Sequence, residues 1–187
     1  SVRYWDKACS GEKGDYLCGM LVSHYKIGIE SYFVIEDTIL EKPEPADVQK
    51  IISSAAEKDG DQVTIIMEKE PGSSGKEISD IYKAFLQRLG RRVLVDDKKA
   101  SKIDRASSVA PLAKEGRIQY IQQKNIHEVL HQLVNFPDKN IHDDAVDTLS
   151  GAVYYLKYKM AQSSIFAGEK RVSTESLLNR YQREGLL

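Results

Sequence analysis

Cysteine is nearly missing from this chain. Cys9 and Cys18 are the two in 187 residues, too few for a disulfide scaffold. The N-terminus lacks the charged-then-apolar layout of a secretion signal, so both are expected to be reduced thiols of a cytoplasm. No run of about 18 apolar residues occurs, so no segment reads as a membrane-spanning helix. An excess of positive charge is missing as well, the formal net charge being −1. Phosphate neutralisation supplies much of the affinity of nucleic-acid binders, which are often basic. The balance therefore argues against tight DNA binding by the chain alone, while leaving room for a local basic patch. Internal repeats and low-complexity tracts are absent, and so is the Gly-x-x-x-x-Gly-Lys-Ser/Thr loop of P-loop ATPases.

What is present suits one globular domain with a short tail. With 41% hydrophobic and 29% charged residues, the chain can bury a core and stay soluble. It opens inside a strand-like pattern and without methionine, as an excised domain with a missing upstream partner would. Residues 3–10, 16–25 and 31–40 read as strands joined by turns, which predicts an antiparallel meander. Pairing around the first turn brings Cys9 near Cys18, most simply as two free thiols. Residues 46–58 have helical spacing, with Val48, Ile51, Ile52 and Ala55 on one stripe. Residues 63–67 are a short apolar run, fitting a strand covered on both faces. Residues 71–75 read as a loop. A helix follows through Ile78, Ile81, Tyr82, Phe85 and Leu89, capped by Gly90. Residues 92–95 form the next strand, so strand, helix and strand predict a parallel pair.

Beyond this, residues 106–115 and 126–134 read as helices, with a short extended segment at 118–121 between them. The longest helix is expected over 142–161. Domain limits follow at 1–161, with 162–187 as a tail that includes a helical stretch. The order of elements gives an α/β fold with a mixed central sheet and helices on both faces.

Three acidic features carry the chemistry. Asp6 interrupts the first strand, where aspartate is disfavoured and costly to bury unless paired or bound to metal. Its alternative is an exposed place on an edge strand. Glu68 and Glu70 end the apolar strand and share a face if the strand runs that far. Ligand sites of open α/β sheets gather at the carboxyl ends of parallel strands, and the alternative is a plain exit into solvent. His142-Asp143-Asp144-Ala145-Val146-Asp147 opens the last long helix. There Val146, Leu149, Val153 and Leu156 form an apolar stripe pointing roughly away from the acids. Helix capping and dipole compensation are the alternatives. Together the acids could hold two Mg²⁺ or Mn²⁺ ions about 3.5–4 Å apart, the arrangement used for phosphodiester hydrolysis.

The segments 3–8 (RYWDKA), 67–76 (MEKEPGSSGK) and 142–147 (HDDAVD) resemble the C-terminal nuclease domain of tailed-bacteriophage terminase large subunits. Residues 102–106 and 116–118 also look like that family, and the resemblance spans roughly residues 3–157. It implies an RNase H-like fold and a metal-dependent endonuclease that cuts concatemeric viral double-stranded DNA during packaging, in the host cytoplasm. The implied partners are DNA, an upstream packaging ATPase domain of the same protein, the portal and the small terminase subunit. The implied cofactor is Mg²⁺ or Mn²⁺, two ions.

Residue by residue, Asp6 matches the first-strand acid. Glu70, directly before Pro-Gly, matches the central acid, with Glu68 as alternative. Asp143 and Asp144 match the last motif, Asp144 ahead. Asp147 is a further ligand, and His142 and Asp15 are accessory. Lys76, Lys98, Lys99, Lys102 and Arg105 are candidate phosphate contacts, against the alternative of a solvated loop and helix face. A junction resolvase, another RNase H-like nuclease and a non-catalytic DNA- or portal-binding module are the competing readings.

Overall fold

A computed structural model describes residues 1–7, 16–69, 73–97 and 101–159, the side chains of 73–78, 158 and 159 lying outside that description. Six strands form one mixed sheet: β1 (Val2–Lys7), β2 (Leu17–Ile27), β3 (Glu30–Glu41), β4 (Thr64–Glu68), β5 (Val93–Asp96) and β6 (Ile118–Tyr120). Their order is β5-β4-β1-β2-β3-β6. The expected meander forms, with β1, β2 and β3 antiparallel. The expected parallel pair forms too, since β4 runs parallel to both β1 and β5. The segment around residue 118 is a true edge strand, parallel to β3.

Alternation of side chains along β1 sorts the two layers. Trp5 faces α1 (Pro45–Asp59) and α2 (Ser73–Arg88) in one apolar cluster. Val2 and Tyr4 face the other cluster, built with α3 (Lys102–Lys114), α4 (Ile126–Asn135) and α5 (Asp144–Tyr154). The first cluster also covers a charge. Arg3, fully buried, donates from Nε and Nη2 to the two Asp59 carboxylate oxygens at 2.7 and 2.6 Å, and from Nη2 to Asp37 at 2.8 Å. Such a guanidinium is tolerated because a fork of carboxylates meets it.

Four local expectations need correction. First, α2 begins at Ser73, inside the stretch expected to be a loop. Its packed stripe is Tyr82, Phe85 and Leu86, while Ile81 is exposed. One helical position is 100° of rotation, which is enough to turn Ile81 outward.

Second, α3 starts at Lys102 rather than at residue 106. Ser101 caps it, accepting from the Asp104 N–H. A Ser-x-x-Asp cap is a helix start, here easily mistaken for charged loop.

Third, α5 starts at Asp144 and not at His142, and α2 is the longer of the two. A π-helical turn, Tyr155–Lys159, continues α5. Fourth, α5 has no solvated acidic side. Every residue from Asp144 to Val153 is buried, acids and apolar stripe alike. The expected helix near the C-terminus lies outside the described residues.

Two glycines permit this packing. A Cβ on Gly151 would lie 2.3 Å from the Tyr4 ring, so α5 can press on β1 only there. A Cβ on Gly19, opposite Trp5 in the register, would lie 2.4 Å from that indole. Gly151→Ala is expected to destabilise by about 1–3 kcal/mol through overpacking, read from urea unfolding. Unchanged stability would show that α5 does not depend on this approach.

A second expectation concerns acid. Burial works against the Asp37 carboxylate, but Lys58 and Arg3 together hold it below its ordinary 3.8. A depressed folded-state value means stability present above about 3.8 and lost as pH falls through the folded value. Asp37→Asn should therefore cost stability at pH 7 and little at pH 2. An equal cost at both pH values would contradict the ion-pair account.

Candidate metal centre

The three neighbouring parallel strands β1, β4 and β5 each carry a carboxylate at or next to the carboxyl end, on the same face of the sheet. Asp6 follows Tyr4 by two residues on β1 and is 9% exposed. Glu68 follows the core residue Ile66 by two on β4 and is half-buried. Asp96 closes β5, opposite Glu68 in the register, and its Oδ2 accepts the Tyr4 hydroxyl at 2.8 Å. Burial, then Asp96, push that phenol upward and keep it a donor. Because β1 lies in the middle of the sheet, the edge-strand alternative for Asp6 does not apply.

Helix α5 runs antiparallel to β1 and brings its first turn over the same edge. Gly151 sits on Tyr4. One turn earlier, Thr148 hydrogen-bonds the thiol of Cys18, which is paired with Asp6 across β1 and β2. A further turn earlier comes Asp144, 4% exposed, whose backbone carbonyl accepts the Thr148 hydroxyl at 2.8 Å. Burial pushes the Cys18 thiol far up, and Asp6, Asp144 and Asp147 each add to the rise. Cys18 is therefore a point on which all three acids act, and it stays a protonated thiol.

The start of α5 is held from three sides. From α4, the fully buried Gln132 accepts the Ala145 N–H at 3.0 Å, satisfying one of the helix's open donors. From α3, Arg105 donates to Asp147 Oδ1 at 2.5 Å, both side chains being buried. Lys102 reaches Asp147 Oδ2 and Asp143 Oδ1, each at 2.8 Å. Burial pulls the Lys102 ammonium down, but Asp143 and Asp147 outweigh it and hold it above the usual lysine range.

On the third side, Lys42 follows β3 and places Nζ 3.4 Å from His142 Nε2 and 4.6 Å from the Tyr16 ring. Tyr16 meets the His142 ring edge-on at 4.9 Å. His142 Nδ1 lies 3.7 Å from Asp144 Oδ2. A proton on Nδ1 suits both neighbours, because Nε2 then accepts from Lys42 while Nδ1–H faces Asp144.

Asp6 is thus buried at the end of β1 and Asp144 and Asp147 are buried in the first turn of α5, with Glu68 on the same sheet face as Asp6 and His142 beside Asp144. Asp143 stands at the N-cap of α5, partly exposed, with no capping bond from its side chain. Arg105, a candidate phosphate contact with a solvated helix face as its alternative, is buried against Asp147. Lys102, about half exposed, lies at the rim. Glu70, Asp15, Lys98, Lys99 and Cys9, and the Lys76 side chain, fall outside the described residues. Sequence reading missed Asp96, Lys42 and Gln132. Asp96 had a signal, being a third acid that terminates a predicted parallel strand. Lys42 and Gln132 had none.

Among the described residues no three His, Cys, Asp or Glu side chains are already disposed to hold an ion. The donor set nonetheless fits a hard divalent cation. Its members are carboxylate oxygens, which suit Mg²⁺ or Mn²⁺, and the sulfur beside them is kept protonated. A cation already lies between Asp143 and Asp147, in the form of the Lys102 ammonium.

Comparison with known proteins agrees with this fold. A solved structure titled "Human cytomegalovirus terminase nuclease domain, Mn soaked, inhibitor bound" superposes with a TM-score of 0.58 at 16% identity, covering 86% of this chain and 84% of that one. At that identity the likeness speaks for the fold. No curated protein matches the sequence. The family model described as the terminase RNaseH-like domain matches residues 3–156. The RNase H-like fold expected from the motifs is therefore the fold of the chain, which belongs to the terminase RNaseH-like domain family.

Proposed function

We propose that this domain is a divalent-metal-dependent endonuclease that cuts concatemeric viral double-stranded DNA during genome packaging. The observation that carries the reading is the burial of Asp6 at the carboxyl end of a central strand, with Asp144 and Asp147 buried in the first turn of the helix that packs on that strand. Buried carboxylates on a shared edge are costly unless a cation compensates them. Asp6 and Asp144, with either Glu70 or Glu68, the last residue of β4, would hold the ions. Bound there, Mg²⁺ or Mn²⁺ would supply an activated water and stabilise the leaving oxygen of the phosphodiester.

The chain's own residues prepare that site. His142 stands beside Asp144, with Nδ1 3.7 Å from its Oδ2. Arg105 fixes Asp147, and with it the first turn of α5. Lys42, beside His142, and Lys102, beside Asp143 and Asp147, can meet backbone phosphates without reading bases. The upstream packaging ATPase, the portal and the small terminase subunit are the partners this function requires. A tailed phage is one source of such a domain, and a herpesvirus-like virus is another.

Supercoiled plasmid tests the proposal. The domain should nick it with Mn²⁺ or Mg²⁺ and not with chelator. Asp6→Asn and Asp144→Asn should each lose more than the roughly 10–100-fold typical of outer-shell changes. Glu68→Gln and Glu70→Gln, compared directly, identify the central ligand by the larger loss. Metal-dependent nicking that survives both aspartate changes would overturn the site assignment. No nicking by the folded domain under any condition would favour a DNA- or portal-binding module.

Arg105→Gln should destabilise the domain by about 1–3 kcal/mol, because it takes the buried partner from Asp147 Oδ1 and leaves only the half-exposed Lys102 on that carboxylate. A stability change near zero would instead make Arg105 available for DNA.

A further inference from the structure

Lys102 and Arg105 reach the same carboxylate in different ways. They are three residues apart on α3, so both point to α5. Arg105 is 8% exposed and takes Asp147 Oδ1, a fixed structural contact. Lys102 is 51% exposed and takes Asp147 Oδ2 together with Asp143 Oδ1. Its ammonium therefore occupies the mouth of the acid centre, between two oxygens of the kind a divalent ion would use. A lysine is a compact charge on a flexible stem with solvent at its head. It can swing away, which the buried Arg105 cannot.

We propose that Lys102 is an internal counter-ion that competes with a divalent cation for the Asp143–Asp147 side of the centre. Without metal, the ammonium offsets the repulsion between these acids and allows α5 to keep its first turn in place. A cation enters that side only by displacing the ammonium. The displaced ammonium remains at the rim, where a DNA phosphate is the available anion. This inference rests on the reading of these acids as a divalent-metal centre.

The test uses the full 187-residue chain and Mn²⁺ alone, without DNA. Isothermal titration compares wild type with Lys102→Met, which keeps the length and removes the charge, and with Lys102→Arg, which keeps the charge. Because the side chain is half exposed, Lys102→Gln serves as a second neutral variant if the methionine form folds poorly.

The neutral variants should bind Mn²⁺ about tenfold more tightly than wild type, a typical scale for two ion-pair contacts of a half-exposed lysine, and Lys102→Arg should not. In metal-free buffer the neutral variants should also melt below wild type and gain more from added Mn²⁺. Equal or weaker Mn²⁺ binding by the neutral variants would overturn the inference and leave the metal centre standing. Failure of every form to bind Mn²⁺ would remove the metal-centre reading and the inference together.

Discussion

The constraint that organises this domain is the burial of negative charge at one edge of the sheet. Asp6, Asp144 and Asp147 are all nearly closed to solvent, and carboxylates in such places are stable only beside cations or donors. Around them the chain has placed Arg105 and Lys102 from α3 and the His142–Lys42 pair. The strand end alone could not supply these partners. They come from α3, from the turn before α5 and from the segment after β3, so the whole face must fold for the acids to coexist.

That packing depends on distances a few side chains permit. Gly151 lets α5 touch the Tyr4 ring, and the Thr148–Cys18 contact sets the helix over the Asp6 position. Gln132 then closes the helix start from α4. The opposite face is held differently, by an apolar cluster and the Arg3–Asp59–Asp37 group. One side of β1 thus carries a buried ion group, and the other carries the acids proposed to hold a metal. A single strand, Val2–Lys7, contributes to both by alternation.

Much of this was legible in the sequence. Turn residues between β-rich runs gave the meander, and the strand–helix–strand pattern gave the parallel pair, because both signals are local. Asp6 was legible because a strand offers aspartate few other roles. The depth of Asp144 and Asp147 was not. A helix whose acids lie on its buried side looks, in periodicity alone, like an amphipathic helix with a polar face. Arg105 was misread for the same reason, since its partner Asp147 is 42 residues away. The start of α3 was missed because its cap, Ser101 with Asp104, sits in a run of charges that resembles loop.

Anomalous scattering from Mn²⁺-soaked crystals of the domain tests the central claim most directly. The account predicts a manganese peak between the Asp6 and Asp144 carboxylates, at oxygen distances of about 2.1 Å, that disappears in Asp6→Asn. Well-ordered crystals with no peak at Asp6, or with manganese bound only to acids elsewhere on the surface, would contradict it.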